Sequence, residues 1–100
     1  MTVYEAYSII KKSNGNESRV LTACHDTKEF FAFRFRSPEM IGVPSSAGYW
    51  TVKKSDGSIG KTSYVANMEA FDNSTAIDIR LLDDFWKTHK IEDYINKAPD

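Results

Sequence analysis

The protein has 100 residues, of which 41% are apolar and 13% aromatic, and its 13 basic and 14 acidic residues give a net charge of −1. This length predicts a single domain, residues 1–100, with one core, and the apolar content excludes a disordered chain. The balanced charge provides no long-range attraction to nucleic acid or to an anionic membrane, so we expect neither as a partner.

The cysteine content and the lack of an export signal predict a cytoplasmic location. Cys24 is the only cysteine, so no intrachain disulfide can form, whereas small secreted domains usually need such bonds. The first residues, MTVYEAYSIIKKSNG, lack the basic segment and the long apolar run of a signal peptide. No segment approaches the length of about 18 consecutive apolar residues that a membrane-spanning helix needs.

An amphipathic helix is predicted at the start of the chain. Thr2 and Glu5 have the spacing of a capping box, in which each side chain binds the backbone N–H of the other residue. Four apolar residues recur at helical spacing on one face: Val3, Ala6, Tyr7 and Ile10. Asn14 and Gly15 tolerate the left-handed conformation of a C-cap, so we expect the helix to end before them.

Four β-strands are predicted next, in the segments SRVLTACH, EFFAFRFR, GYWTVKK and SIGKTSY. The second segment places Phe31, Phe33 and Phe35 on one face. Its other face carries Arg34 and Arg36, and this alternation is typical of a half-buried strand. The last two segments flank SDG, a strong turn sequence, so they form a hairpin.

The C-terminal third predicts short helical pieces. NMEAFDNS predicts a short helix capped by Asn67, and LDDFWKTHKIEDYINKAPD predicts a helix interrupted near His89. Asp83 and Asp84 suit the positive end of a helix dipole. Residues 76–82 fit either a short strand or an entry into helix.

This order of elements predicts an α+β fold. Consecutive strands with short turns form an antiparallel meander, and the apolar stripe of the helix has to be buried against one face of that sheet. We therefore expect the N-terminal helix to pack on a four-stranded antiparallel meander sheet, with short helices at the C-terminus.

The sequence GSIGKT resembles a phosphate-binding loop, which needs two glycines flanking four residues and a helix that follows them. Here only two residues separate Gly57 from Gly60, and the surrounding pattern is that of a hairpin. The hairpin interpretation is therefore favoured, and Gly60 within a strand indicates a bulge or a close approach of another chain segment.

No catalytic or metal-binding pattern emerges from the reactive residues. Strict alternation along the first strand places Thr22 and Cys24 on one face and His25 on the other, so Cys24 and His25 cannot form a nucleophile–base pair. One cysteine and two histidines without close spacing give no zinc pattern, and the acidic residues lack the glycine and regular ligands of a calcium loop. We expect no enzymatic activity, metal or cofactor.

The segment KEFFAFRFR shares its aromatic residues with RNA-recognition strands. Phe30, however, replaces the glycine of that pattern, and Arg34 replaces an aliphatic residue. The strand–helix order of that fold is also absent, so the phenylalanines are assigned to the core.

The second face of the sheet and the loop 37–48 are the predicted protein-binding surface. If Trp50 and Val52 point into the core, their neighbours in the strand point outward. Six residues are assigned to this surface: Arg34, Arg36, Met40, Ile41, Tyr49 and Thr51. Two other interpretations stay open: the arginines provide solubility and edge protection, and the apolar loop residues cover one end of the core.

The order of helix, strand, FFAFRF strand, loop with prolines and glycines, and GYWTVKKSDGSIG resembles small bacterial immunity-type proteins of polymorphic toxin systems. The resemblance covers Tyr4 to Gly60 and does not extend to the chain from Met68 onward. It implies a cystatin-like helix-on-sheet fold, no enzymatic activity, and action by binding and masking a toxin. It assigns no site residues.

We therefore expect a non-enzymatic protein-binding module, and the resemblance implies a toxin-neutralising immunity protein. The alternative is a small-ligand-binding or enzymatic domain with a pocket between helix and sheet, for which Cys24 and Tyr7 are the only indications. A third hypothesis is self-association through the second face of the sheet. A filled core beneath the helix favours a protein partner, whereas a deep cavity there favours a ligand or an enzyme.

Overall fold

A computed structural model describes residues 1–43 and 48–95. Its helices are α1 (Val3–Lys11), α2 (Met68–Asp72), α3 (Phe85–Thr88) and α4 (Glu92–Ile95). Its strands are β1 (Val20–Asp26), β2 (Phe30–Arg36), β3 (Tyr49–Lys53), β4 (Ile59–Thr62) and β5 (Thr75–Ala76). Two parts of the sequence prediction lie outside the described residues: positions 44–47 of the loop 37–48, and positions 96–100 of the last helix.

The N-terminal helix begins with the predicted capping box. The backbone N–H of Glu5 donates to Thr2 Oγ1 over 3.2 Å, and the N–H of Thr2 donates to Glu5 Oε1 over 3.1 Å. After α1 the backbone turns through Asn14 and Gly15, whose φ angles of 52° and 78° are left-handed. The predicted start and end of this helix are therefore confirmed.

The predicted antiparallel meander is present in β1 to β4. Across the described part of the chain the strand order is β4-β3-β2-β1-β5, so the sheet has one more strand than predicted. The fifth strand pairs antiparallel with β1, with His25 opposite Ala76. Of residues 76–82, only Ala76 belongs to a strand, and a 3-10 turn follows at Ile79–Leu81.

A β-bulge between Leu21 and Ala23 shifts the register of β1 against β2. Because of this bulge, Leu21 and Cys24 are both buried in the same core cluster. The strict alternation predicted for this strand is therefore wrong at Thr22, which lines a cavity together with Arg34 instead.

The main core lies between α1 and the sheet, where α1 contacts β2 and β3. Phe31, Phe33 and Phe35 are buried in one cluster with Ala6 and Ile10, so the prediction that these three rings face the helix is confirmed. Ala6, Ile10 and Phe33 are completely buried. The space directly beneath the helix is therefore filled with side chains.

The second face of the sheet is covered over part of its area by α2. Phe71, which is 7% exposed, lies with its ring 4.7 Å from the ring of Tyr49 and 5.4 Å from the ring of His25. Tyr49 points to this face as predicted, but it is only 8% exposed. The prediction of an outward, solvent-exposed Tyr49 on an open face is therefore wrong, because α2 buries its own phenylalanine against that tyrosine.

The C-terminal segment follows the outer edge of β1 beyond the short strand β5. Asp83 accepts a 2.9 Å hydrogen bond from the backbone N–H of Leu21, and the Trp86 indole donates a 2.7 Å hydrogen bond to the carbonyl of Leu21. Asp83 also accepts a 3.0 Å hydrogen bond from the N–H of Phe85, the first residue of α3, so its predicted place at a helix start is confirmed. At 7% exposure it is a buried acceptor rather than a solvated charge, and Lys11 Nζ lies 3.8 Å from its Oδ2. The predicted interruption near His89 is confirmed, since α3 and α4 are separate.

None of the helices in the described residues has the length and apolar composition needed to cross a lipid bilayer.

Candidate functional site

A cavity of about 370 Å³ lies between β1, the end of β2, the turn that follows β2 and the C-terminal segment. Its polar side is formed by Thr22, Arg34 and Arg36. Its apolar side is formed by Ile41, Ile79, Trp86, Ile91 and Tyr94. We call this site the arginine cavity.

Alternation along β2 brings the two arginines to the same site. Arg34 and Arg36 are two positions apart in a strand, so their side chains point to the same face of the sheet. Both arginines therefore lie on the second face of the sheet, as predicted, and together they form most of the polar side of the cavity.

The guanidinium group of Arg34 packs against the ring of Tyr49. Its guanidinium carbon lies 4.4 Å from the centroid of the Tyr49 ring, within the range of a cation–π contact. Its Nε atom is buried, and none of the described residues accepts a hydrogen bond from it. The charged group is therefore positioned by Tyr49 while one of its donors stays unused.

Arg36 connects β2 to the turn that follows it. Its Nη1 donates a 2.8 Å hydrogen bond to the carbonyl oxygen of Val43, which also lines the cavity. Within residues 1–43 and 48–95, no carboxylate lies within 4.0 Å of Arg34 or of Arg36. The charges of both guanidinium groups are therefore not neutralised by the part of the chain that the structure describes.

His25 belongs to the aromatic cluster that supports Arg34. Its ring lies 5.4 Å from the Tyr49 ring, and its Nδ1 is 3.3 Å from the hydroxyl oxygen of Ser74. Burial and, to a smaller extent, the charge of Arg34 hold the pKa of His25 below its ordinary value. The neutral imidazole therefore suits this cluster.

The other predicted surface residues are distributed around the cavity rather than in it. Met40 is exposed in the turn after β2, whereas Ile41 beside it is buried and forms part of the cavity wall. Ile41 therefore fits the interpretation in which the loop covers one end of the core, whereas Met40 is accessible at the surface. Thr51 lines a separate, smaller site of about 190 Å³ with Ile59 and Gly60, so the structure does not bring it to the arginine cavity.

Sequence reasoning missed the residues that close the cavity from the other side. Trp86 and Tyr94 come from α3 and α4, and Ile79 comes from the turn before them. Their apolar character predicts burial, but nothing in the local pattern indicates which strand they approach. One signal for this arrangement was available in the sequence: a tryptophan, Trp86, in a segment of short predicted helices.

The remaining predictions about reactive residues can be compared with the geometry. Cys24 is buried, and burial followed by the charge of Asp26 raises its pKa to about 12, so the thiol is a poor nucleophile. Cys24 and His25 pair with neighbouring residues of β2 on opposite faces, as predicted. Among the described residues, no three histidine, cysteine or acidic side chains come together in a way that could hold a metal ion.

The segment with phosphate-loop resemblance forms a hairpin. The N–H of Gly57 donates to the carbonyl of Lys53 over 2.8 Å, and Gly60 pairs with Thr51 in the ladder between β3 and β4. A strand follows the turn where a phosphate-binding loop needs a helix, so the hairpin prediction is confirmed.

A second exposed surface lies in the segment before and within α2. Val65 is 79% exposed, and Tyr64 and Met68 beside it are also exposed. This apolar ridge was not predicted. Met68 also lines a groove of about 490 Å³ together with Lys28, Glu29 and Glu69, so charges of both signs lie beside this ridge, unlike at the arginine cavity.

In comparisons with known proteins, the sequence matches no protein-family model, and no curated protein or solved structure matches it significantly.

Proposed function

We propose that this chain is a non-enzymatic protein-binding module whose partner is a protein with an acidic surface. The observation that carries the proposal is the arginine cavity: two guanidinium groups, without a carboxylate partner among the described residues, line a cavity with aromatic walls. Arginine and aromatic residues are enriched in the parts of interfaces that contribute most to binding.

The surroundings of the cavity support docking of a protein rather than burial of a small substrate. Met40 and Val43 are exposed beside the cavity, at 42% and 41% of their surfaces, so a partner can cover apolar area around the charged centre. Charge complementarity to Arg34 and Arg36 then selects an acidic partner and fixes its orientation.

The alternative of a ligand or a substrate beneath the helix has less support. Ala6, Ile10 and Phe33 are completely buried there, so side chains fill the region where such a pocket would lie. Cys24, one of the two residues that indicated this alternative, has a pKa raised to about 12, which disfavours the reactive thiolate.

The resemblance to immunity-type proteins extends the proposal to a specific role. In that role the partner is a toxin, and the chain neutralises it by covering its functional surface. The α+β fold with α1 packed across an antiparallel sheet is compatible with this role. A third role, self-association through the same surface, leads to a different prediction for the mass of the purified protein.

The test is affinity capture from the native host with three forms of the chain and quantitative mass spectrometry. The interface variant carries Arg34→Glu and Arg36→Glu. The matched control carries Lys12→Glu and Lys28→Glu, two exposed lysines outside the cavity, and therefore the same change in net charge. We expect a partner that wild type and control retain and that the interface variant loses.

A partner that the interface variant also retains would contradict the proposed surface, and recovery of none would contradict the proposed module. For the toxin-neutralising role, the recovered partner should be toxic when expressed alone and harmless when co-expressed with wild type. Light scattering of the pure protein should give the mass of one 11.4 kDa chain. A dimer that the interface variant abolishes would support self-association instead.

A further inference from the structure

We infer that the arginine cavity is a carboxylate-binding site, which takes one carboxylate group carried on an apolar body. This inference rests on the proposed function for the source of that group, which is an acidic side chain of the partner protein beside an apolar one. The ligand chemistry itself is argued from the cavity and is tested without the partner.

Arg34 has hydrogen-bonding capacity that none of the described residues uses. A buried donor without an acceptor costs about 1–3 kcal/mol, and more when the group is charged. The buried Nε of Arg34 is such a donor with respect to the described residues. Only a ligand oxygen that accepts from Nε itself would remove this cost, as in the side-on pairing of a carboxylate with the Nε and one Nη of a guanidinium group.

The guanidinium group of Arg34 is already held in place before a ligand binds. The ring of Tyr49 supports the Arg34 guanidinium at 4.4 Å, and Phe71 in turn packs on Tyr49 with a ring distance of 4.7 Å. An immobilised side chain loses little further freedom on binding, which favours affinity. Arg36 is likewise fixed by its hydrogen bond to Val43, which uses Nη1, and its other nitrogens have no acceptor among residues 1–43 and 48–95.

The cavity suits a carboxylate better than a phosphate. A guanidinium group matches the planar, two-oxygen geometry of a carboxylate, with two parallel hydrogen bonds. The remaining walls are mostly apolar, the Thr22 hydroxyl donates to the carbonyl of Arg34, and the Trp86 indole N–H donates to the carbonyl of Leu21. A doubly charged phosphate would leave oxygens against these walls without donors, whereas an apolar body would bury them.

The cavity is large enough for such a group. A volume of about 370 Å³ lies at the small end of the range for ligand sites, which starts near ~300 Å³. The walls from Ile41, Ile79 and Trp86 provide apolar contact on the side away from the arginines. A phenyl ring with one carboxylate has the required size and polarity, which makes benzoate a suitable probe.

The experiment is a titration of the ¹⁵N-labelled protein, followed by NMR through the Nε–Hε signals of the arginines and the indole signal of Trp86. Three probes are compared at equal ionic strength: benzoate, uncharged benzamide and inorganic phosphate. We expect benzoate to shift the Arg34 and Trp86 signals saturably, with little response to the other two probes. Arg34→Lys and Arg36→Lys should each weaken benzoate about tenfold, because a lysine cannot form the paired hydrogen bonds.

Arg80→Lys is the control, since Arg80 is exposed and already paired with Asp78 over 2.7 Å. It should leave the benzoate affinity unchanged. Equal responses to benzamide would indicate a merely apolar cavity, and equal responses to phosphate a general anion site. Either result, or the absence of a saturable shift, would overturn the inference.

The outcomes also separate this inference from the proposed function. If affinity capture succeeds but benzoate does not bind, the carboxylate site is wrong and the binding module stands. If benzoate binds but no protein partner is recovered, the carboxylate site stands and the proposed function is wrong.

Discussion

The indole nitrogen of Trp86 donates a hydrogen bond of 2.7 Å to the carbonyl oxygen of Leu21, a residue 65 positions earlier in the chain. Asp83 accepts the hydrogen bond from the N–H of the same residue. Strand β5 is only two residues long, so these two side chains satisfy the edge of β1 where no strand accompanies it. Trp86 also forms a wall of the arginine cavity. The same residue therefore contributes both to the closure of the sheet edge and to the formation of the site.

Trp86→Phe should therefore lower the free energy of unfolding by about 1–3 kcal/mol, because the carbonyl of Leu21 loses its donor while most of the apolar ring is kept. The measurement is urea unfolding followed by circular dichroism. Trp50→Phe is the matched control, since the Trp50 ring is only half-buried and contacts Lys61 through a cation–π interaction. Equal losses for the two variants would contradict a specific role for the Trp86 hydrogen bond.

Cys24 should react slowly with thiol reagents in the folded protein. Its pKa is raised to about 12 by burial and by the nearby charge of Asp26, and the thiolate is the reactive form. The rate of labelling should rise when urea unfolds the chain, because the exposed thiol regains its ordinary pKa. Since the folded protein holds the proton more tightly, the free energy of unfolding should also fall as the pH rises above 9.0.

Labelling of the folded protein at the rate of a free thiol, at a pH where the protein is stable, would contradict this prediction. Cys24→Ala should remove the labelling altogether, which confirms that the signal comes from this residue, the only cysteine of the chain.

How far the sequence predicts this molecule depends on whether a feature is local. The capping box of α1 and the alternation of Phe31, Phe33 and Phe35 are local patterns, and both are confirmed. The bulge after Leu21 and the two-residue strand β5 have no periodicity, so they arise from pairing with β2 and β1 alone. Local pattern therefore predicted the elements, while tertiary contacts decided the edge of the sheet.

The same distinction applies to the candidate site. The alternation of β2 predicted that Arg34 and Arg36 share a face, and the structure places both in one cavity. The burial of Tyr49 depends on Phe71, and the walls depend on Trp86 and Tyr94; all three lie far along the chain in short helical pieces. The positions of these residues depend on which apolar surface of the sheet remains uncovered by the other elements. A single sequence does not specify that surface.

His25 should make the protein less stable in mild acid. Burial and the charge of Arg34 lower the pKa of His25 below its ordinary value of 6.5. The unfolded chain therefore binds a proton first as the pH falls, so the stabilising contribution is complete above pH 6.5 and declines below it. Urea unfolding at several pH values should show this decline in wild type, and His25→Gln should reduce it.

The NMR titration of the His25 ring gives an independent measure of the same effect. His89→Gln distinguishes the signals of the two histidines, because His25 and His89 are the only ones in the chain. A midpoint at or above 6.5 for His25 would contradict the prediction.

Gly48 should not tolerate a side chain, although it does not lie within a strand. A methyl group on Gly48 would lie 2.8 Å from the backbone carbonyl oxygen of Thr62, which cannot move without disturbing the pairing of β3 and β4. Gly48→Ala should therefore lower the free energy of unfolding by about 1–3 kcal/mol, the usual cost of overpacking. Gly60→Ala is the comparison, since its methyl group would meet the Thr51 hydroxyl at 3.0 Å, and a side chain adjusts more easily than backbone. Thermal unfolding that ranks Gly60→Ala as the more damaging change would contradict this interpretation.

Phe71 should contribute both to the free energy of unfolding and to the fixed position of Arg34 in the arginine cavity. It is the buried residue through which α2 covers Tyr49, and Tyr49 supports Arg34. Phe71→Ala should therefore cost about 3 kcal/mol in the free energy of unfolding, as for other buried aromatic residues. Met68→Ala in the same helix is exposed and should cost much less.

The second readout of Phe71→Ala is the Nε–Hε signal of Arg34 in the folded variant. If Phe71 holds Tyr49 in place, its removal should shift and broaden this signal and weaken benzoate binding, because the guanidinium is no longer fixed before the ligand arrives. Met68→Ala should leave both properties as in wild type. A Phe71→Ala protein that is less stable but binds benzoate normally would show that α2 covers the sheet without positioning the cavity, and that the order of Arg34 comes from β2 and Tyr49 alone.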